Sequence, residues 1–335
     1  MAAGTTVHGL LELIVARDRE AVLEAVADLL GAGGLDAVIA VLADVQREVG
    51  RRWQAQDWSV ADEHAATGLI DLALAAAALD IPTPEPILGS VVVTCAEEEW
   101  HVLPARMFAE QLRARGWDVV FLGASTPADH LATYLAGHPV TAVAVSCSVP
   151  IHLPGARHSI IATHGAGMPV MAGGAGFGST PARALALGAD AWAPSIEQAH
   201  RAASSWSGSP PPLAGARDDR EQLALAADRH VMVGEAMTEL AVHFAELGAY
   251  SSWQLGKTRE DLDYIVRFVE AALLTGDDTV VSEFVRWLVA VLSARGVPPR
   301  AVFLGIESLR RCLPRQHEAA ARLLDMAADL VNRPG

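Results

Sequence analysis

Between Val7 and Val49 apolar residues recur every third or fourth position: Leu10, Leu11 and Ile14, then Val22, Ala25 and Leu29, then Val38, Val41, Leu42, Val45 and Val49. That period gives each segment one apolar face, so residues 1–80 are expected to form a small helical bundle. Ser59-x-x-Asp62 has the capping-box form and opens the last helix, on which Val60, Glu63, His64 and Thr67 share a face. Pro82, Pro84 and Pro86 make Ile81–Ile87 an extended linker, because proline lacks the N–H that a helix needs.

The period then changes. From Gly89 to Ser195 short β-branched runs (VVVT, DVVFLG, VTAVAVS, PVMAGG, ADAWAP) alternate with helical patterns, including helices from Val102, Pro127 and Thr180. Such alternation builds five parallel strands with crossover helices, a doubly wound Rossmann-like α/β domain over 87–200. Residues 201–220, with Ser-Gly-Ser-Pro-Pro-Pro, read as a linker. Residues 221–335 carry only helical patterns, broken near Ser251, Gly276 and Gly296-Val297-Pro298-Pro299, and are expected to be an all-α domain of about globin size. The fold class is therefore multidomain, α and α/β.

The totals narrow the function classes. The 335 residues hold 25 Lys+Arg against 40 Asp+Glu and no basic run, so neither nucleic acid nor an anionic lipid surface is expected as a direct partner. Cys95, Cys147 and Cys312 lack CxxC spacing, and no basic-then-apolar signal precedes the first helix, so the expected compartment is the cytoplasm. No uninterrupted apolar stretch is expected to be long enough to span a bilayer.

The candidate chemistry centres on Ser90–Pro104, SVVVTCAEEEWHVLP. His101 sits on the loop from the first strand to the next helix, at the carboxyl edge where open parallel sheets bind ligands. A carboxylate two residues earlier, Glu99, suits a metal-ligating imidazole that has one nitrogen facing the metal and the other held. Ser146-Cys147-Ser148 ends the third strand and Gly173-Gly174 the fourth, at the same edge.

Taken together, Glu99-x-His101, Ser146-x-Ser148 and Gly173-Gly174 resemble the vitamin B12-binding domain pattern, over about Gly89 to Ser195. The resemblance implies that His101 is the lower cobalt ligand in place of the cofactor's own base, with Glu99 behind it. It also implies that Ser146, Ser148, Gly173 and Gly174 line the slot for the nucleotide tail. One departure is visible: the family's glycine after the histidine is Pro104 here, which implies a tighter loop.

In the bundle, Trp53 followed after nine residues by Glu63-His64 resembles the signature of CarH-type B12 photoreceptors. That resemblance implies an adenosylcobalamin whose upper face is covered by Trp53, Val60 and Glu63, with His64 able to take the upper cobalt site after photolysis. Proteins of that type usually add an amino-terminal DNA-binding domain, whereas this sequence opens on the bundle, so direct DNA contact is not carried over. The three-part order, ending in an all-α domain, resembles the photocobilins. It implies a globin-like third domain with a biliverdin near Tyr264, Arg267, Arg286 and Trp287. Arginines suit propionates and aromatic rings suit pyrroles.

The resulting expectation is a light sensor without catalytic turnover, a homo-oligomer whose assembly changes with light and which signals to a partner that the sequence does not name. The enzyme-class alternative is a corrinoid methyl carrier of a methyltransferase system. A mutase B12 subunit is a further rival that would need a separate substrate-binding partner.

Overall fold

Side-chain caps set the first boundaries. Thr6 and Asp18 accept hydrogen bonds from the first turns of α1 (Val7–Val15) and α2 (Arg19–Gln54), and Ser59 with Asp62 forms the expected capping box of α3 (Val60–Leu79). The computed structural model describes residues 6–82, 84–85, 88–207, 214–215 and 217–332. Thr83, Pro86 and Ile87 of the first expected linker, and residues 208–213 and 216 of the second, lie outside the described residues.

α2 bears on the expectation about membrane spans, because its apolar run is long but interrupted by Asp28 and Asp36. By length and a mean hydropathy of 1.8 it is long and apolar enough to cross a membrane. Its Val22, Val26, Leu35, Val38, Leu42, Val45 and Val49 form the bundle core with Leu10, Ile14, Ile70 and Leu74. Gly34, at φ 73 and ψ −177, breaks its hydrogen-bond ladder into two rods. The hydropathy comes largely from leucine, valine and isoleucine, with alanine adding to it.

Five parallel strands follow: β1 (Ser90–Cys95), β2 (Asp118–Gly123), β3 (Ala142–Ser146), β4 (Val170–Gly173) and β5 (Ala191–Trp192). Their order is β2-β1-β3-β4-β5, so the chain reverses its direction of travel between β1 and β3. In a sheet of this order ligands bind outside the carboxyl ends at that reversal. Register brings the motifs there, since Cys95 pairs with Ser146 and Ser146 with Gly173, and all three motif loops leave the sheet in one row.

Helices cover both faces. α4 (Val102–Arg113) and α8 (Ile196–Trp206) bury Ala105, Ala109, Leu112, Ile196 and Ala203 against Val91, Val93 and Met171. α5 (Ala128–Gly137), α6 (Leu153–Gly165) and the short α7 (Ala182–Ala186) cover the other face. The sequence expects a linker from residue 201, but α8 continues to Trp206 because Ala203 and Trp206 are buried on its inner side. Likewise α7 begins at Ala182 rather than Thr180. The bundle docks on α4, whose Leu103 and Met107 enter the bundle core while Arg106 pairs with Asp71 at 3.0 Å.

The third unit has the expected breaks, with five helices: α9 (Arg220–His243), α10 (Ser252–Thr275), α11 (Thr279–Ala294), α12 (Pro299–Cys312) and α13 (Glu318–Asn332). Ser251 caps α10, left-handed Gly276 ends it, and Pro298 precedes α12. It does not stand apart. α10 packs on α6, on α7 and on the Pro150–His152 turn, so one apolar cluster runs from the sheet into this helical unit. Arg183, only 4% exposed, fastens the seam by donating to Asp277 (2.7 Å), Thr279 (3.1 Å) and the Gly176 carbonyl (3.2 Å).

Candidate corrinoid site

β1 ends in a turn that carries Glu97, Glu98 and Glu99 to the carboxyl edge, and α4 begins immediately after His101. Glu99 is fully buried. Its Oε1 accepts from the His101 amide (2.9 Å) and from His101 Nδ1 (2.6 Å), and its Oε2 from the amides of Ser148 (2.7 Å) and Val149 (3.1 Å). Burial opposes the charge, but the hydrogen bonds from the His101 ring and amide, with that from Ser148, outweigh it and hold the carboxyl at about 2. Glu99 is thus an anion shared by the β1 and β3 loops across the reversal point.

That anion orients the histidine. With Nδ1 donating to Glu99, the tautomer leaves Nε2 as the free nitrogen, and the side chain is 61% exposed. The hydrogen bond to Glu99 raises the imidazole pKa and burial lowers it, while the charges of Glu99 and of Glu63 in the bundle raise it again.

The other motif residues divide by role. Ser148 Oγ is buried and has no partner, a polar group facing away from solvent as a slot for a polar ligand tail requires. The Ser146 carbonyl accepts from the Ala96 amide at 2.8 Å, which ties the β1 and β3 loops together. Gly173 and Gly174 were expected to admit a ligand. A Cβ on Gly173 would lie 2.9 Å from the Ala193 carbonyl, and one on Gly174, at φ 99, would strike the backbone of Cys147. The glycines let the chain approach itself, so that the slot's wall is backbone rather than side chains.

In the bundle, Glu63 bridges Thr67 Oγ1 (2.8 Å) and His64 Nδ1 (2.5 Å), which leaves His64 Nε2 outward on a side chain 74% exposed. Val60, on the same turn, is 53% exposed. Trp53, on the last turn of α2, stacks on Trp287 of α11 (6.5 Å, 27°), and the Arg295 guanidinium lies 5.4 Å from its ring centre. The residue expected over the upper face is thus in contact with the third unit.

The amino-acid pattern also has a match outside this chain. Residues 89–202 match the family model described as B12 binding domain, and residues 6–77 match a second model of the same description. Residues 6–202 carry a pair of B12-binding domains. The cofactor of this pair is a cobalamin or related corrinoid, and His101 suits it, since one free imidazole serves a metal that brings its own ring of ligands. The B12-binding pair has the fold of a monomethylamine corrinoid protein of Methanosarcina barkeri, 19% identical, with a TM-score of 0.51 over 58% of this chain and 95% of that one. A cobalamin-binding protein of Desulfitobacterium hafniense (17% identity, 60% of this chain and 98% of that one, TM-score 0.33) is also similar. So is a methanol:cobalamin methyltransferase complex of Methanosarcina barkeri (16%, 62% and 81%, 0.34). No curated protein matches the sequence.

The four residues expected around a bilin do not converge. Tyr264 and Arg267 line a cleft of about 260 Å³ between α9 and α10, with His230, Val233, Arg259, Glu260 and Asp263. The neighbouring Phe268 stacks on Phe284 in the core at 3.7 Å. Trp287 faces the bundle and Arg286 faces solvent. Two features of the site escape sequence reading. The Ser148 and Val149 amides carry no side-chain signature and are found only once β1 and β3 are adjacent. The Glu98–Arg267 ion pair (2.6 Å) joins residues 169 positions apart.

Proposed function

We propose that the chain is a light sensor that holds adenosylcobalamin between the bundle and the α/β domain, with His101 as lower ligand. The observation that carries it is the docking of the bundle on α4, the helix that starts directly after His101, through Leu103, Met107 and the Arg106–Asp71 pair, with the Glu63–His64 pair on the docked bundle. The bound cofactor would supply a cobalt–carbon bond that light breaks. The chain's residues do the rest: Glu99 keeps Nε2 of His101 available, Glu63 offers a hydrogen-bond acceptor to an upper group, and His64 offers a neutral nitrogen once that group has left. Removal of the upper group would take a partner from Glu63 and shift the bundle's equilibrium position, with a second copy of this chain as the assembly partner. No turnover, nucleic acid or membrane enters this reading, and its compartment is the cytoplasm.

A biliverdin in the third unit belongs to the same proposal, supported by the cleft that joins Tyr264 to Arg267 and Arg259. A globin-like identity for that unit rests on its five-helix make-up and size.

The second reading, a corrinoid methyl carrier, is favoured by the fold likeness to the monomethylamine corrinoid protein, 95% of which is covered. Such a carrier must clear its upper face for a methyltransferase. The Trp53 stack on Trp287 and the Arg106–Asp71 pair work against this by holding the bundle in place.

Absorption spectra and size-exclusion profiles of the chain loaded with adenosylcobalamin, dark and after green light, separate the two. A sensor gives a new lit spectrum that differs in His64→Ala, together with a changed elution volume. A lit spectrum that His64→Ala leaves unaltered and an elution volume identical to that of the dark state, with methyl transfer to a thiol acceptor from methylcobalamin-loaded protein, would establish the carrier instead.

A further inference from the structure

Glu98 occupies the left-handed region, at φ 66, one residue before the buried Glu99 and three before His101. A non-glycine residue there is strained and persists only where its surroundings impose it. Two contacts do so. The Glu98 amide donates to Ser125 Oγ at 3.1 Å, and its carboxylate accepts from Arg267 of α10 at 2.6 Å. Arg267 is largely buried, at 19% side-chain exposure, whereas Glu98 is exposed at 66%. The anchor is therefore in the helical unit and the anchored group is on the loop.

The other wall of the Glu99 pocket rests on the same helix. Val149, whose amide binds Glu99, leads directly into the Pro150–His152 turn, and that turn packs on α10. Burial lowers the pKa of the His152 imidazole, the charge of Arg267 acts in the same direction, and its Nδ1 is buried without a partner. One helix thus supports both loops that grip the Glu99 carboxylate.

We propose that Arg267 is a positioning residue for the lower ligand: by holding Glu98 left-handed it aims Glu99, and through Glu99 the Nε2 of His101. This rests on the proposed ligation by His101 and extends it across the domain seam. Because Arg267 also lines the α9–α10 cleft, whatever occupies that cleft and engages the guanidinium competes with Glu98. Cleft and cobalt ligation are then coupled, each biasing the other by the same factor.

The test uses the full chain with adenosylcobalamin in the dark, comparing wild type, Glu98→Gln, Arg267→Ala, the double variant, the charge-reversed pair Glu98→Arg with Arg267→Glu, and His101→Ala. The readouts are the spectrum that reports nitrogen ligation and the dissociation constant. Glu98→Gln is isosteric and solvent-exposed, so it tests the role even where Arg267→Ala lowers stability. Each single variant should weaken binding roughly two- to fivefold, as suits one partly exposed ion pair, and move the spectrum towards that of His101→Ala. The double variant should be no worse than the weaker single, and the reversed pair should recover most of the loss. If His101→Ala alters the spectrum while Glu98→Gln and Arg267→Ala match wild type, Arg267 has no positioning role. Additive losses in the double variant would overturn it equally. If His101→Ala itself leaves the spectrum unchanged, the ligation fails first and the positioning role with it.

Discussion

At the scale of single residues, the chain places charge where local geometry compensates it, with one exception that can be measured. Glu99 is buried and ionised because four N–H donors surround it. Asp261 has no such shell: burial, with the nearby Glu260, pushes its carboxyl up to about 6, against the smaller opposing pulls of Lys257 and Arg295. Between its ordinary value of 3.8 and about 6 the folded chain keeps a proton that the unfolded chain has lost. Stability therefore falls as pH rises through this window, and the penalty is complete above it. Asp261→Asn, which mimics the neutral form, should raise the melting temperature by a few degrees at about pH 7.5 and leave it unchanged near pH 4. Equal shifts at both pH values would show that the carboxyl titrates normally. Glu99 was legible from its place two residues before a loop histidine. Its donors from Ser148 and Val149 were not, because a backbone amide is the same in every residue.

At the scale of elements, strand and helix boundaries follow local rules closely. β2 covers Asp118–Gly123 as the DVVFLG run expects, and α4 starts at Val102 with Pro104 in its first turn, where no amide is needed. Misreadings fall where local and tertiary forces part. α8 runs on through residues expected as linker because its buried face still has a sheet to cover, and α2 bends at a glycine that pattern reading passes over. The Gly173-Gly174 pair illustrates the same limit. Its small size was visible, but the object that approaches it, the Cys147 backbone, was not. Gly174→Ala would combine a left-handed φ with a backbone clash. It should cost about 2–4 kcal/mol in urea unfolding and weaken cobalamin binding by displacing the β4 loop. Retention of wild-type stability would mean that the loop can relax without its neighbour.

At the scale of the whole molecule, the third unit braces the other two. It shares an apolar core with the sheet, meets Glu98 near His101 through Arg267, and meets Trp53 through Trp287 and Arg295. An aromatic pair of this kind is worth about 1 kcal/mol, or roughly fivefold in an opening equilibrium. Trp287→Ala should therefore speed amide exchange several-fold over the last turn of α2, with α4 protection unchanged because Arg106, Leu103 and Met107 still dock the bundle there. Uniform loss of protection would point to general unfolding, and no change would mean that the stack carries no load.

The sequence by itself determined the order of three units, the strand and helix periods, the B12-type motifs and the orientation of His101 by Glu99. All of these depend on residues within a few positions or on a repeating period. Tertiary structure alone decided which donors complete the Glu99 shell, that the bundle docks on the helix after His101, that the glycines admit backbone, and that the bilin candidates split between a cleft, the bundle seam and solvent. Each of these is a contact between residues far apart in the chain. Such contacts are selected by how apolar faces pair and how helices dock, and neither composition nor spacing encodes that choice locally.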